Sequence, residues 1–259
     1  MSYPFCDLFP RAKPIVAVVH AGASPGVPGS QSVRAAVDRA VAETRLLVEL
    51  GVDGLLVENA HDAPALDDDE TGPEVIAYMT TVALAVRRNA GRLPVGVRVL
   101  HADRVALAVA LAAGCDFVRA DGWAHDPGQA ARFHRYRESV GASGLPVLAD
   151  LRPTDADDVE ALVVAAEAAR PDALLVLGPA VGRRPADGAV GAARRATLLP
   201  LFCGGGIDGA NLPEYLDADG FLVGSGLKEN RRWQAPVCEP FVRSLVGAVE
   251  YARGQEVRQ

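Results

Sequence analysis

Several apolar runs in this chain close on ionisable or amide side chains: His20, Glu58 with Asn59, Arg98, Arg119 followed by Asp121, and Asp150. Packing does not demand charge at such positions, so these residues are the first candidates for chemistry. Glu58 and Asp150 suit general acid–base work if burial or mutual charge separates their pKa values. His20 titrates near neutrality and suits the same task. Arg98 and Arg119 can hold a carboxylate or phosphate through parallel N–H donors. A plainer reading carries equal weight: Arg119 with Asp121 or Glu58 forms a structural ion pair. His101 is expected to turn into its loop and cap the helix that begins at Asp103, and His125 and His134 to be surface residues.

Two glycine-rich stops lie near the end of the chain, Phe202-Cys203-Gly204-Gly205-Gly206-Ile207 and Leu222-Val223-Gly224-Ser225-Gly226-Leu227. Turns of this kind cradle phosphate through backbone N–H groups, and a side chain there would block the approach. Lys228 stands where it could neutralise such an anion, with a solvated lysine as the alternative. Lys13 and Lys228 are the only lysines, and neither ends a central strand, which disfavours imine chemistry. No His-x-His or His-x-x-x-His pair occurs. A divalent ion on Glu58, Asp121 or Asp150 has no support from spacing, and no cofactor is expected.

These residues need elements to position them. Apolar runs over 14–20, 52–58, 93–100, 115–120, 145–150, 173–177, 199–203 and 220–224 read as strands. Helical spacing fills the intervals at 32–50, 73–89, 103–113, 127–140, 155–169, 187–195, 210–216 and 236–252. Ser32, Pro73 with Glu74, and Asp155 with Asp157 and Asp158 mark helix starts. The alternation predicts an α/β single-domain (β/α)8 TIM barrel over residues 1–259, with a short N-terminal extension over 1–13. In that fold the strand-end residues share one face, and the loops after strands seven and eight hold phosphate. A doubly wound sheet with a dinucleotide site is the runner-up. It requires a glycine fingerprint after strand one, and His20-Ala21-Gly22-Ala23-Ser24-Pro25-Gly26 does not fit. The loop over 61–70 is long enough for a lid, and its acidic run reads as solvated surface.

Composition narrows the classes. The chain has 259 residues, 49% hydrophobic and 23% charged, with a formal net charge of −7. An acidic chain is a poor partner for nucleic acid, and no apolar run is long enough to span a bilayer. Cys6, Cys115, Cys203 and Cys238 lack paired spacing, so neither a zinc site nor a disulfide framework is expected. The first residues lack a secretory pattern, which predicts a cytoplasmic protein. The expected partner is a small, anionic molecule; a homo-oligomer is compatible with this.

Lys13-Pro14, Val19-His20 with Pro25-Gly26, Gly51-Val52-Asp53-Gly54, Val57-Glu58-Asn59 and Asp62-Ala63-Pro64 resemble the BtpA family, which includes the SgcQ-type proteins. The resemblance continues through Asp116-Phe117-Val118-Arg119, Leu148-Ala149-Asp150, Val223-Gly224-Ser225-Gly226-Leu227-Lys228, Trp233 and Pro236-Val237. It implies a ribulose-phosphate-binding type of barrel. It carries over Glu58, Asn59, Arg119, Asp150, Gly224, Ser225 and Lys228 as site positions. Three departures stand out: Asp150-Leu151-Arg152-Pro153 replaces a segment with His and Lys, Ala120-Asp121 replaces Val-Asn, and Leu177-Gly178-Pro179 replaces a Thr-Gly stop. Asp121 in place of an amide favours a hydroxyl, amine or cationic group there, or a pair with Arg119.

The resulting expectation is an enzyme acting on a small phosphorylated sugar or ribosyl compound by acid–base chemistry, as a lyase or by glycosyl-bond cleavage rather than as an isomerase. Glu58, Asp150, His20, Arg119 and Asp121 would carry the chemistry. Asn59, Arg98, Gly204, Gly205, Gly206, Gly224, Ser225 and Lys228 would bind substrate. The rival is a non-catalytic assembly or stability factor of the photosystem-biogenesis kind, which would use the acidic loop and an exposed Trp233 to hold a protein partner.

Overall fold

In the computed structural model, which describes residues 4–154 and 158–256, the apolar runs become eight parallel strands joined in sequential order into a closed barrel. The strands are β1 (Ile15–His20), β2 (Gly54–Glu58), β3 (Val95–Arg98), β4 (Phe117–Ala120), β5 (Val147–Leu151), β6 (Ala173–Leu177), β7 (Leu201–Gly204) and β8 (Gly220–Val223). A short helix, α1 (Pro4–Asp7), precedes them. Between and after them run α2 (Val33–Glu49), α3 (Pro73–Asn89), α4 (Asp103–Ala113), α5 (Pro127–Ser139), α6 (Val159–Ala168), α7 (Ala189–Ala196) and α8 (Glu239–Glu256).

Local chemistry sets the helix ends. The Ser32 hydroxyl accepts from the Ala35 N–H, and Asp126 accepts from that of Gln129, so both cap their helices. Gly114 ends α4 with φ +67, a left-handed conformation that glycine adopts without strain. Of the acidic residues expected to start α6, Asp155 and Asp157 lie outside the described residues, and Asp158 is the N-cap. One expectation fails. Between β7 and β8 the sequence spacing predicts an α-helix over 210–216, but the chain forms only a 3-10 turn, Leu212–Tyr215. Pro213 within it has no N–H to donate, and the segment is too short to pay the cost of α-helix nucleation.

Strand side chains alternate between faces. Ala17, Val19, Leu55, Val57, Val95, Val97 and Val118 point outward into the core shared with the helices. Val16, Val18, Leu56, Phe117, Leu148, Leu175, Phe202 and Leu222 point inward and fill the barrel. Its lower end is closed by Phe5 and Phe9. The Phe5 ring sits 5.3 Å from both Phe117 and Phe202 in edge-on contact. Within the N-terminal extension, Phe5 and Phe9 thus plug the barrel. Gly96 makes room for this aromatic layer: a β-carbon there would lie 2.2 Å from Phe117.

The same alternation fixes the upper end. Two residues beyond Val18, Leu56, Gly96, Phe117 and Leu148, the inward positions are His20, Glu58, Arg98, Arg119 and Asp150. Parallel pairing aligns His20 with Glu58 and Glu58 with Arg98.

Candidate functional site

At the top of the barrel, buried carboxylates and guanidinium groups alternate. Glu58 Oε1 lies 3.1 Å from Arg98 Nη1, and Oε2 accepts from Arg119 Nη1 at 2.9 Å. Arg119 grips Asp150 with two parallel bonds, Nε to Oδ1 at 2.8 Å and Nη2 to Oδ2 at 2.9 Å. Arg98 Nη2 donates to Asp121 Oδ2 at 2.5 Å. Each of these five residues is more than nine-tenths buried. Burying so many charges is tolerable only because each meets an opposite charge at hydrogen-bonding distance. Arg119 thus pairs with Glu58 and Asp150, and Asp121 pairs with Arg98 instead of Arg119.

This pairing decides protonation. Burial alone would raise the Glu58 pKa, but Arg98 and Arg119 outweigh it and bring it to about 2. The same opposition at Asp121, burial against Arg98, leaves its pKa below the ordinary carboxylate value. Both are ionised at neutral pH, so Glu58 has no proton to give there as a general acid. They hold the arginines in place.

His20 differs. Burial, only partly opposed by Glu58, drops its pKa to about 4, so the ring is neutral at physiological pH. Its Nδ1 is buried without a hydrogen-bond partner among the described residues. The ring lies against the β8 turn, where a β-carbon on Gly224 would sit 3.3 Å from Cε1. Trp233 packs over it, its ring 5.7 Å from His20 and 4.7 Å from His61. Trp233 is therefore half-buried rather than exposed, and that part of the docking expectation falls.

Two further expectations fail on geometry. Asn59 points away from the barrel axis because it follows Glu58 by one residue. Its Nδ2 donates to Asp62 Oδ2 and its Oδ1 accepts from the Leu100 N–H, so it braces loops. Asp62 in turn holds the Ser24 backbone and hydroxyl. Lys228 is 1% exposed and ion-paired to Glu43 of α2. It lines a separate cavity of about 330 Å³ behind His20 and Trp233, away from the glycine turns.

The β7 and β8 turns are neighbours: a β-carbon on Gly204 would lie 2.8 Å from the Leu222 carbonyl. The loop after β6 folds over them. A β-carbon on Gly205, whose φ is +81, would meet the Arg183 carbonyl at 2.6 Å, and one on Gly206 would meet Arg184 N at 2.8 Å. Beneath this loop remains a cavity of about 70 Å³, lined by Gly178, Gly182, Gly205, Gly224, Ser225 and, on its charged side, Glu58, Arg98, Arg119 and Arg152. That is room for a few water-sized groups. Gly204, Gly206 and Lys228 do not line it. Arg152 is the residue the sequence reading passed over. It donates to Asp150 Oδ2 at 3.1 Å yet keeps a third of its side chain exposed. The signal was available, since Arg152 follows inward-facing Asp150 by two.

Above this cavity opens a cleft of about 840 Å³. Glu58, Arg98, Asp121, Asp150 and Arg152 form its floor, and Asp67, Asp68, Asp69 and Glu70 form one wall. The acidic loop is not merely solvated. Arg104 pairs with Asp68 and Asp69, and Asp68 accepts from the Val105 N–H in the first turn of α4. His101 also reaches the cleft. Its φ of +59 is left-handed, and Ala102, not His101, is the N-cap of α4. His134 is half-buried and bonds the Ala169 carbonyl at 2.8 Å. Among the described residues no group of three or more His, Cys, Asp or Glu is arranged to hold a metal ion. None of the helices described is long and apolar enough to cross a membrane.

A model of the BtpA family matches residues 11–251. An uncharacterized protein of Archaeoglobus fulgidus is 30% identical over 248 residues, covering 91% of this chain and 99% of that protein. The photosystem I biogenesis protein BtpA of Synechocystis is 30% identical over 240 residues, 86% of this chain and 83% of that one. Among solved structures, 3-hexulose-6-phosphate synthase from Salmonella typhimurium superimposes with a TM-score of 0.63 at 17% identity, covering 92% and 99% of the two chains.

Proposed function

Since this chain belongs to the BtpA family, whose model spans most of its length, we propose that it is a barrel enzyme acting on a small phosphorylated sugar or ribosyl compound. The observation that carries the reading is the 70 Å³ cavity where the β7 and β8 turns, Arg119 and Arg152 meet beside a neutral His20. Glycine turns and guanidinium groups around a space of that size suit a phosphate, and the larger cleft above suits the rest of the substrate. The fold likeness to an enzyme named for a hexulose phosphate agrees with this ligand class.

The chemistry follows from what is committed. Glu58, Asp121 and Asp150 neutralise arginines, and His20, neutral at working pH, is placed to exchange a proton beside the anion cavity. Arg119, locked to two carboxylates, is a fixed positive charge rather than a mobile clamp. Arg152, half free, swings to the anion. Bond cleavage of the lyase or glycosyl type accords with fixed charges flanking a neutral base, without imine or dinucleotide.

Calorimetric titration with ribose 5-phosphate, paired with diffraction from soaked crystals, tests the proposal. Density for phosphate against Gly205, Gly224 and Ser225 is the expected result. Failure of both ribose 5-phosphate and inorganic phosphate to bind at millimolar concentration would remove it. A second reading, an assembly factor, draws on the name of the Synechocystis relative. Under it, Glu58→Gln and Asp150→Asn would leave biological function intact wherever the fold survives.

A further inference from the structure

We propose that His101 and Asp121 form a proton-transfer pair on the β3–β4 side of the cleft, in the part that the anion cavity does not reach. The pair deepens the reading of the cleft as a substrate site and rests on it for its purpose, though not for its test. His101 Nδ1 lies 3.7 Å from Asp121 Oδ1, an ion-pair separation that a sub-ångström movement turns into a hydrogen bond. Both residues line the large cleft, and neither lines the 70 Å³ cavity.

The two oxygens of Asp121 have divided duties. Oδ2 is held by Arg98 Nη2, itself anchored through Nη1 to Glu58, while Oδ1 is left to the imidazole. Arg98 keeps Asp121 ionised against its burial. A buried, immobile carboxylate beside one ring nitrogen fixes the tautomer and offsets the charge that forms when the other nitrogen takes a proton. The partner side chain is presented to match. His101 is 63% exposed, and its left-handed backbone turns the ring into the cleft instead of over the start of α4.

With Nδ1–H directed at Asp121, Nε2 is the free base. It takes the proton from a substrate hydroxyl or a bound water as that oxygen bonds to the substrate carbon bearing the leaving group, whose carbon–oxygen bond breaks. The imidazolium is neutralised by Asp121, and the same proton passes from Nε2 to the departing oxygen, leaving the pair as it began. Arg98 Nε is buried and has no hydrogen-bond partner among the described residues, while its two Nη atoms hold Glu58 and Asp121.

The test reads the imidazole directly. In protein labelled with 15N-histidine at about pH 8, where imidazole is neutral, the His101 ring signals are identified by their loss in His101→Gln. The wild type should show mainly the Nδ1–H form. In Asp121→Asn, Arg98 claims the amide oxygen, the NH2 group faces Nδ1, and the Nε2–H form should take over. Acylation by diethyl pyrocarbonate should proceed about fivefold faster at His101 than at exposed His125, and this advantage should vanish in Asp121→Asn. A wild-type ring that is mainly Nε2–H, or a tautomer unmoved in folded Asp121→Asn, overturns the pair. If Asp121→Asn does not fold, the wild-type tautomer and the rate ratio decide alone. Titration of the wild type with ribose 5-phosphate separately reports the anion reading, so a failure there with the Nδ1–H form intact rejects that reading and leaves the pair standing.

Discussion

Replacing Glu58 by glutamine removes the central link of the charged ring, and the structure sets the size of the effect. Glu58 bridges Arg98 at 3.1 Å and Arg119 at 2.9 Å, and these two arginines overcome burial to bring its pKa from 4.5 to about 2. At about 1.36 kcal/mol per pH unit, that depression is worth about 3 kcal/mol of folding stability. The folded value lies below the unfolded one. The contribution is therefore complete above the unfolded pKa and drains away as pH falls toward the folded value, with about 2 kcal/mol already gone at pH 3. Glu58→Gln leaves Arg98 with Asp121 and Arg119 with Asp150 but removes the carboxylate that bridges the two guanidinium groups, a loss of about 3 kcal/mol at neutral pH. Urea unfolding followed by circular dichroism at about pH 7, 5 and 3 measures both effects. The variant should unfold at markedly lower urea at pH 7, and its deficit should narrow between pH 5 and pH 3. An unchanged midpoint at neutral pH, or a deficit constant across that acid range, would refute the argument that the ring is held by its ionised carboxylates.

Other consequences are open to the same kind of measurement. Lys228→Met should leave ribose 5-phosphate affinity within about twofold of the wild type while costing a few kcal/mol of stability, because Glu43 loses its counter-ion. A tenfold or greater loss of affinity would place the lysine at the anion after all. Phe5→Ala should cost about 3–5 kcal/mol in urea unfolding by opening the barrel floor, whereas an appended tail would cost almost nothing. Gly205→Ala places a β-carbon 2.6 Å from the Arg183 carbonyl at a φ of +81, so it should destabilise by about 1–3 kcal/mol and weaken ribose 5-phosphate binding. Undiminished binding would separate the glycine turn from ligand recognition.

The amount of this site that was legible in the sequence follows from the range of the interactions involved. His20, Glu58, Arg98, Arg119 and Asp150 were found because an apolar run that stops on a charge is a local pattern. Period-two alternation then sends every one of them to the barrel mouth. Extended by one more step, that rule also finds Arg152. Asn59 escaped because its role is set by Asp62 and by the Leu100 N–H, which lies 41 residues away. Lys228 escaped because its partner, Glu43, stands 185 residues earlier on α2. The 3-10 turn between β7 and β8 was misjudged because helical spacing over seven residues does not outweigh a proline and a short span.

The sequence by itself determined the order of eight strands, the boundaries of most helices and the set of charged residues at the strand ends, because propensity, capping and alternation act within a few residues. Only the closed barrel decided which charge meets which, that Phe5 and Phe9 seal the floor, and that the loop after β6 roofs the glycine turns. Those outcomes arise when β1 joins β8 and brings distant segments within 3–5 Å, where charge and volume must be satisfied together.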